Sequence, residues 1–344
     1  MTFTRMLLPR TLVLLAAACG AAACGAAEDD PDNASEGSGT TTASSVTGVT
    51  GLSATAAVDD SSGGPSTTVS TSVSSTDPTA DGTAEGTSDD TADDTTGGGT
   101  LSPGCGNQAA ATGESMRSMM IQGVDRTFIV DAPAAIDPDA PLALVFVFHG
   151  NGGTGQGIQS MGLQNVPGAQ DQAVFVFPDG LQYMDFGVGW NGTCGEYDME
   201  FFDQMRATLA DEYCLDPGRI FAAGFSWGGD MCESLACCRG DVVRAIAPAS
   251  GPEFYPFDCL DTERPAVRMT YATNDAYPPE MFAQTLEFYR TEHGCSDTQV
   301  PVEPAPCITF EGCAEPLVSC EYEGLGHAWP ADWADQTWAF FSQF

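Results

Sequence analysis

The sequence predicts an α/β fold with a mostly parallel central sheet and helices on both faces. Three observations lead there. From Cys105 to Phe344, short apolar runs alternate with stretches of helical periodicity, the order in which strands and crossover helices build a parallel sheet. One run, Leu142–Phe148, is apolar at every position, as a strand covered on both faces must be. A five-residue turn, Gly224-Phe225-Ser226-Trp227-Gly228, closes one expected strand and opens one expected helix.

Charge and composition divide the chain before any element is assigned. The 344 residues carry a formal net charge of −37, and all 11 basic residues are Arg. No basic patch can assemble from so few cations, which excludes nucleic acid as a partner and disfavours polyanionic substrates.

Residues 1–24 read as an export signal. Arg5 and Arg10 form a positive leader, and Thr11–Ala18 is an apolar run too short to span a bilayer. It ends in Ala16-Ala17-Ala18-Cys19-Gly20, similar to the lipobox of bacterial lipoproteins. Lipidation at Cys19 would tether the protein to a membrane; ordinary cleavage would release it, and a second Ala-Ala-Ala-Cys ends at Cys24. Both routes place the mature protein outside the cytoplasm.

Residues 25–104 are mostly Ser, Thr, Gly, Ala and Asp, with 14 acidic residues and no basic one. Such a segment buries too little apolar surface to offset its chain entropy and is expected to be a disordered acidic tether. Fully stretched it reaches about 260 Å, and as a coil about 50 Å.

Residues 105–344 then form one domain, with nine arginines against 34 acidic residues. Strands are expected at 127–130, 142–148, 173–177, 220–224, 242–247, 267–272 and 318–322. Helices are expected at 198–213, where Met199, Phe202, Met205 and Leu209 recur at helical spacing, and at 228–238, 279–292 and 333–344. Eleven of the 13 cysteines lie beyond the signal. Export makes disulfides their expected state, with at least one thiol left over or paired outside the domain.

The chemistry starts at Ser226. In a strand–turn–helix setting, the Gly-x-Ser-x-Gly turn lifts a serine hydroxyl above the sheet, and glycines at 224 and 228 avoid side-chain clashes in so sharp a bend. Serine needs a base to take its proton. Only three histidines are available. His327 sits just after the last expected strand, His293 at a helix end as a cap, and His149 at the head of a glycine-rich loop. A carboxylate must orient the base. Asp275 follows the strand 267–272 and gives the chain order Ser, Asp, His of the α/β-hydrolases; Asp258 and Asp261 are the alternatives. Oxyanion donors are expected from the backbone of Trp227 and of His149-Gly150-Asn151-Gly152-Gly153, with Asn151 and Gly152 as the loop's candidates. Trp190, Trp227, Tyr277 and Trp329 are candidates for an aromatic-lined acyl site, against the plainer role of core aromatics.

These motifs, with Ser102-Pro103-Gly104-Cys105-Gly106, Phe177-Pro178-Asp179-Gly180-Leu181, Ala247-Pro248-Ala249-Ser250-Gly251 and Gly326-His327-Ala328-Trp329-Pro330, resemble the polyhydroxybutyrate depolymerase and feruloyl esterase family of carbohydrate esterases. The resemblance spans nearly all of 105–344. It implies an α/β-hydrolase fold and a triad at Ser226, Asp275 and His327. Where members usually carry His-Gly before the acid segment, this chain has Tyr271-Ala272. The implied function is hydrolysis of a feruloyl-type ester on plant cell-wall polysaccharide. Polyester depolymerisation and acetylxylan deacetylation are the enzymatic alternatives, and a tethered binding module without catalysis is the non-enzymatic one. No cofactor or metal is expected, and a monomer is.

Overall fold

The computed structural model describes residues 100–252, 259 and 263–344. The signal segment with Cys19 and Cys24, nearly all of the acidic tether, and Asp258 and Asp261 lie outside the described residues.

In chain order the elements are β1 (Gly113–Ile121), β2 (Val124–Ala132), β3 (Leu142–Phe148), α1 (Gly155–Gln159), a 3-10 turn at Leu163–Asn165, α2 (Ala169–Gln172), β4 (Ala173–Pro178), β5 (Leu181–Gln182), β6 (Val188–Gly189), α3 (Tyr197–Glu212), β7 (Leu215–Phe225), α4 (Trp227–Cys238), β8 (Ala245–Ala249), β9 (Ala266–Ala272), α5 (Pro279–Glu292), β10 (Gln299–Pro301), β11 (Cys307–Phe310), β12 (Leu317–Tyr322) and α6 (Trp333–Phe341). Ten strands form one sheet in the order β1-β2-β4-β3-β7-β8-β9-β12-β11-β10. The six from β4 to β12 run parallel; antiparallel strands extend the sheet at both edges.

β3 is buried at all seven positions, and its side chains alternate between two cores. Leu142, Leu144, Phe146 and Phe148 join Met199, Phe202, Met205 and Leu209 of α3, Leu235 of α4 and Phe282 of α5. Ala143, Val145 and Val147 face the opposite side with Trp333, Trp338, Phe340 and Phe341 of α6. Helices therefore cover both faces, as expected.

The expected strand 242–247 begins later, at Ala245. Val242 and Val243 donate their N–H groups to the Arg239 carbonyl at 2.9 Å each, closing the turn after α4 before the chain can extend. Ten cysteines pair as Cys105–Cys214, Cys194–Cys238, Cys237–Cys259, Cys295–Cys313 and Cys307–Cys320. Cys232, buried in α4, is the thiol left over. The sulfurs of Cys194, Cys237 and Cys238 lie within 4.8 Å of one another, but all three are in disulfides and offer no thiolate to a metal.

Candidate active site

All the rim loops that carry the candidate residues leave the carboxyl ends of the parallel strands. The sharpest is the β7–α4 turn. Ser226 has φ +53° and ψ −125°, a backbone that non-glycine residues rarely adopt. The turn is held by Ser226 N–H donating to Ala249 O at 2.8 Å and by Gly229 N–H donating to Ser226 O at 2.7 Å. A Cβ on Gly224 would stand 2.2 Å from the Gly228 carbonyl oxygen, and one on Gly228 2.1 Å from that of Phe148. Both glycines are required by contact with backbone, which cannot give way.

Ser226 Oγ lies 2.9 Å from Nε2 of His327. On the other side of the ring, Nδ1 lies 3.0 Å and 3.2 Å from the two carboxylate oxygens of Asp275. The Asp275 side chain is 1 % exposed and that of His327 29 %, so the acid is enclosed while the base reaches the surface. Four hydrogen bonds stitch the Asp275 loop to the His327 loop: Thr273 N–H to Tyr322 O at 3.1 Å, Asn274 N–H to Leu325 O at 3.1 Å, Gly324 N–H to Thr273 Oγ1 at 2.9 Å, and Asn274 Nδ2–H to Gly324 O at 3.4 Å. Tyr277 donates its N–H to Asp275 Oδ1 at 3.0 Å, and its ring meets His327 edge-on at 5.5 Å.

The loop after β3 is anchored by its histidine. Gly180 N–H donates to His149 Nε2 at 2.9 Å, which leaves the proton on Nδ1, 2.7 Å from Gly150 O. Burial pulls the His149 pKa below its ordinary value, in keeping with a neutral ring. This loop brings Gly150 against the nucleophile: a Cβ there would lie 3.2 Å from Ser226 Cβ.

Two expectations need correction. Gly152 is unavailable as an oxyanion donor because its N–H already donates to Val188 O at 2.8 Å; Gly153 N–H is likewise used, on Gly150 O at 3.0 Å. The backbone N–H groups of Asn151 and Trp227 have no protein partner among the described residues. Trp190 does not line the site. It is 2 % exposed, stacks edge-on against Phe148 at 5.1 Å and donates Nε1–H to His149 O at 2.8 Å, so it supports the loop from beneath. Trp329 is half-buried between Phe225 at 4.7 Å and Trp333 at 3.9 Å. Tyr277 and Trp227 remain near the reacting groups.

Sequence reasoning passed over the hairpin of β5 and β6. Its Gly189 packs flat on the Trp227 indole, where a Cβ would stand 2.3 Å from a ring carbon. Asn151 donates its side-chain N–H to Phe186 O at 2.9 Å. Strands of two residues leave no periodicity to read; Tyr183 and Phe186 were the available signal.

The sheet, its crossover helices and the rim placement of these loops define an α/β-hydrolase fold. The chain is 32 % identical over 263 residues to feruloyl esterase C of Emericella nidulans, covering 71 % of this chain and 92 % of that one. A probable feruloyl esterase C of Aspergillus niger is 30 % identical over 261 residues, with the same coverage. The chain belongs to the feruloyl esterase family. Among solved structures, an acetyl xylan esterase from Aspergillus awamori superposes with a TM-score of 0.55 at 14 % identity, over 66 % of this chain and 99 % of that one. An esterase of Thermogutta terrifontis gives 0.51 at 14 % identity, over 67 % and 94 %. No protein-family model matches the chain.

Proposed function

We propose that the protein hydrolyses feruloyl-type esters of plant cell-wall polysaccharide through an acyl-enzyme on Ser226. The observation that carries this reading is the unbroken hydrogen-bonded line from Ser226 Oγ through His327 to the enclosed Asp275. His327 Nε2 takes the hydroxyl proton as Oγ attacks the ester carbonyl, and Asp275 holds the proton on Nδ1 and stabilises the imidazolium. The carbonyl oxygen, now negative, is received by the backbone N–H groups of Trp227 and Asn151. Collapse of the tetrahedral species expels the sugar alkoxide, which leaves with the proton from His327. Water, deprotonated by the same nitrogen, then cleaves the acyl-enzyme and releases the carboxylic acid and Ser226.

The domain organisation belongs to the same reading: an export signal in 1–24, an acidic tether in 25–104 and the esterase domain in 105–344. Five disulfides support an oxidising, extracytoplasmic setting.

The test compares the purified protein on methyl ferulate, acetylated xylan and polyhydroxybutyrate, with Ser226→Ala as control. Methyl ferulate is expected to be the best substrate, and the variant is expected to lose at least about 10³-fold in kcat. Full activity in Ser226→Ala would overturn the nucleophile assignment. Preference for either polymer over methyl ferulate would overturn the substrate class and leave the nucleophile in place.

A further inference from the structure

A buried ion pair lies behind the loop that carries the Asn151 N–H. Arg126 of β2 and Asp198 in the first turn of α3 are each 1 % exposed, with Arg126 Nη2 2.7 Å from Asp198 Oδ1. Taking both charges out of water is costly, and apolar side chains of similar size usually hold a core as well or better. Part of the guanidinium is left without a polar partner: its Nε and Nη1 have no hydrogen bond among the described residues. Its carbon stands 4.2 Å from the ring centre of Phe201 and 5.8 Å from that of Tyr197, and these faces hold its position. Stability alone is a poor account of such a pair; what it touches gives it a different role.

The pair grips both ends of the β5–β6 hairpin. The same Nη2 donates to Asp179 O at 3.0 Å, just before the hairpin, and Asp198 Oδ2 receives Asn191 N–H at 2.6 Å, just after it. The neighbours of those two residues hold His149 from two sides. Gly180 N–H reaches its Nε2, and Trp190 Nε1–H reaches its carbonyl oxygen. His149 cannot shift without its loop, because Nδ1 is bonded to Gly150 O and a Cβ on Gly153 would stand 2.9 Å from His149 Cβ. The entry end of the hairpin is held a second time, by Asp179 N–H on Thr127 O at 3.0 Å and Thr127 Oγ1–H on Asp179 Oδ2 at 2.7 Å. Asp198 is the hold on the exit end, one residue from Trp190.

We propose that Arg126 and Asp198 are a positioning pair for the oxyanion loop, acting through Gly180, Trp190 and His149 on the Asn151 N–H. The inference rests on the reading of Ser226 as the acylated nucleophile and of Asn151 N–H as an oxyanion donor. Both side chains of the pair are enclosed, so neither meets substrate. Full negative charge on the carbonyl oxygen develops only on the way to the tetrahedral species. A donor displaced from its place therefore costs kcat and leaves KM nearly alone. An ion pair suits this task because its hydrogen bonds are directed at one carbonyl and one N–H. Apolar side chains would fill the same space without fixing either.

Arg126→Met combined with Asp198→Leu replaces the pair by apolar side chains and leaves no buried charge unpaired; thermal unfolding checks that the variant is folded. On the wild type's best ester, kcat is expected to fall about 10²-fold with KM within about threefold. The pH dependence of kcat/KM should stay in place, because Ser226, His327 and Asp275 are untouched. Inhibition by phenylboronic acid, whose tetrahedral adduct with Ser226 Oγ sets an oxygen at the same donors, is expected to weaken at least about tenfold. A folded double variant with kcat within about twofold of wild type, or with boronic acid inhibition unchanged, would overturn the positioning role. Trp190→Phe keeps an aromatic ring, leaves the pair intact and removes one grip on His149. It is expected to lower kcat about tenfold. It decides the matter where the double variant does not fold, since a kcat within about twofold of wild type there also overturns the proposal. Turnover that survives Ser226→Ala would overturn the nucleophile instead, whatever the pair does.

Discussion

At the scale of single residues, the arrangement is decided by what has no room to be otherwise. Gly224 and Gly228 meet backbone atoms at just over 2 Å from an imagined Cβ, and Ser226 accepts a left-handed φ so that its hydroxyl stands clear of the sheet. The enclosure of Asp275 follows from the same economy. Its carboxylate receives Tyr277 N–H and faces His327 Nδ1, so its charge is spent on holding one tautomer. Asp275→Asn keeps the shape and reverses the hydrogen-bond logic on that side. It is expected to lower kcat on the order of 10⁴-fold with KM within a few-fold. Steady-state kinetics on the best ester reads this directly, and a loss under about tenfold would remove Asp275 from the orienting role.

At the scale of elements, the β7 strand separates stability from chemistry. Its first residue follows Cys214, bonded to Cys105 across 109 residues of sequence, and its last precedes Ser226. β7 bulges between Leu215 and Ile220 and runs alongside the seven residues of β3, from Leu142 beside Leu215 to Phe148 beside Gly224, which puts roughly 20 Å between the two ends. The segment before Cys105 adds to the clamp: Ser102 donates Oγ–H to Tyr213 O at 2.7 Å and receives Leu215 N–H at 2.6 Å. Replacing Cys105 and Cys214 together by Ala is expected to lower the unfolding free energy by about 2–5 kcal/mol, since a long closed loop is released in the unfolded chain. The kcat/KM of the surviving folded protein should hold within twofold. Denaturant unfolding and kinetics on the same sample check both halves, and an activity loss as large as the stability loss would refute the separation.

The same elements explain what the sequence made legible. The six parallel strands and four long helices announced themselves through apolar runs and helical spacing. The triad followed from chain order and strand ends. β1 escaped notice because as an edge strand it alternates Ser, Arg and Glu with Met116 and Met120, both more than half exposed. Its tight turn, with Gln122 at φ +49° and Gly123 at +85°, fixes the β1–β2 register. β10 and β11 are three and four residues long and lie beside the Cys307–Cys320 and Cys295–Cys313 bonds, and no local pattern encodes such pairings. Gly152 was misjudged for a similar reason. Its partner, Val188 O, lies 36 residues away in a hairpin whose two-residue strands leave no periodicity to read.

At the scale of the whole molecule, the scarcity of titrating cations turns attention to the histidines. The chain has three, and two of them, His149 and His293, are each 2 % exposed. Burial is the largest influence on both and lowers both pKa values; for His293 it outweighs the attraction of Glu315. In the unfolded chain the same groups titrate near the ordinary value of about 6.5. Between the folded and unfolded values the unfolded state binds more protons, so stability rises with pH through that window. The contribution is complete above about pH 6.5 and is lost as the pH falls below it. Asp131 and Asp198 act in the opposite sense at the acid end: burial raises both carboxyl pKa values, and the stability they add by protonation is lost as pH rises through their folded values. The histidine share is isolated by comparing the wild type with His293→Gln. Thermal midpoints of the wild type are expected to drop between pH 7.5 and 5.5, and those of the variant to drop less, because one proton-linked term is gone. Equal drops in the two proteins would show that the buried His293 ring carries none of the pH dependence.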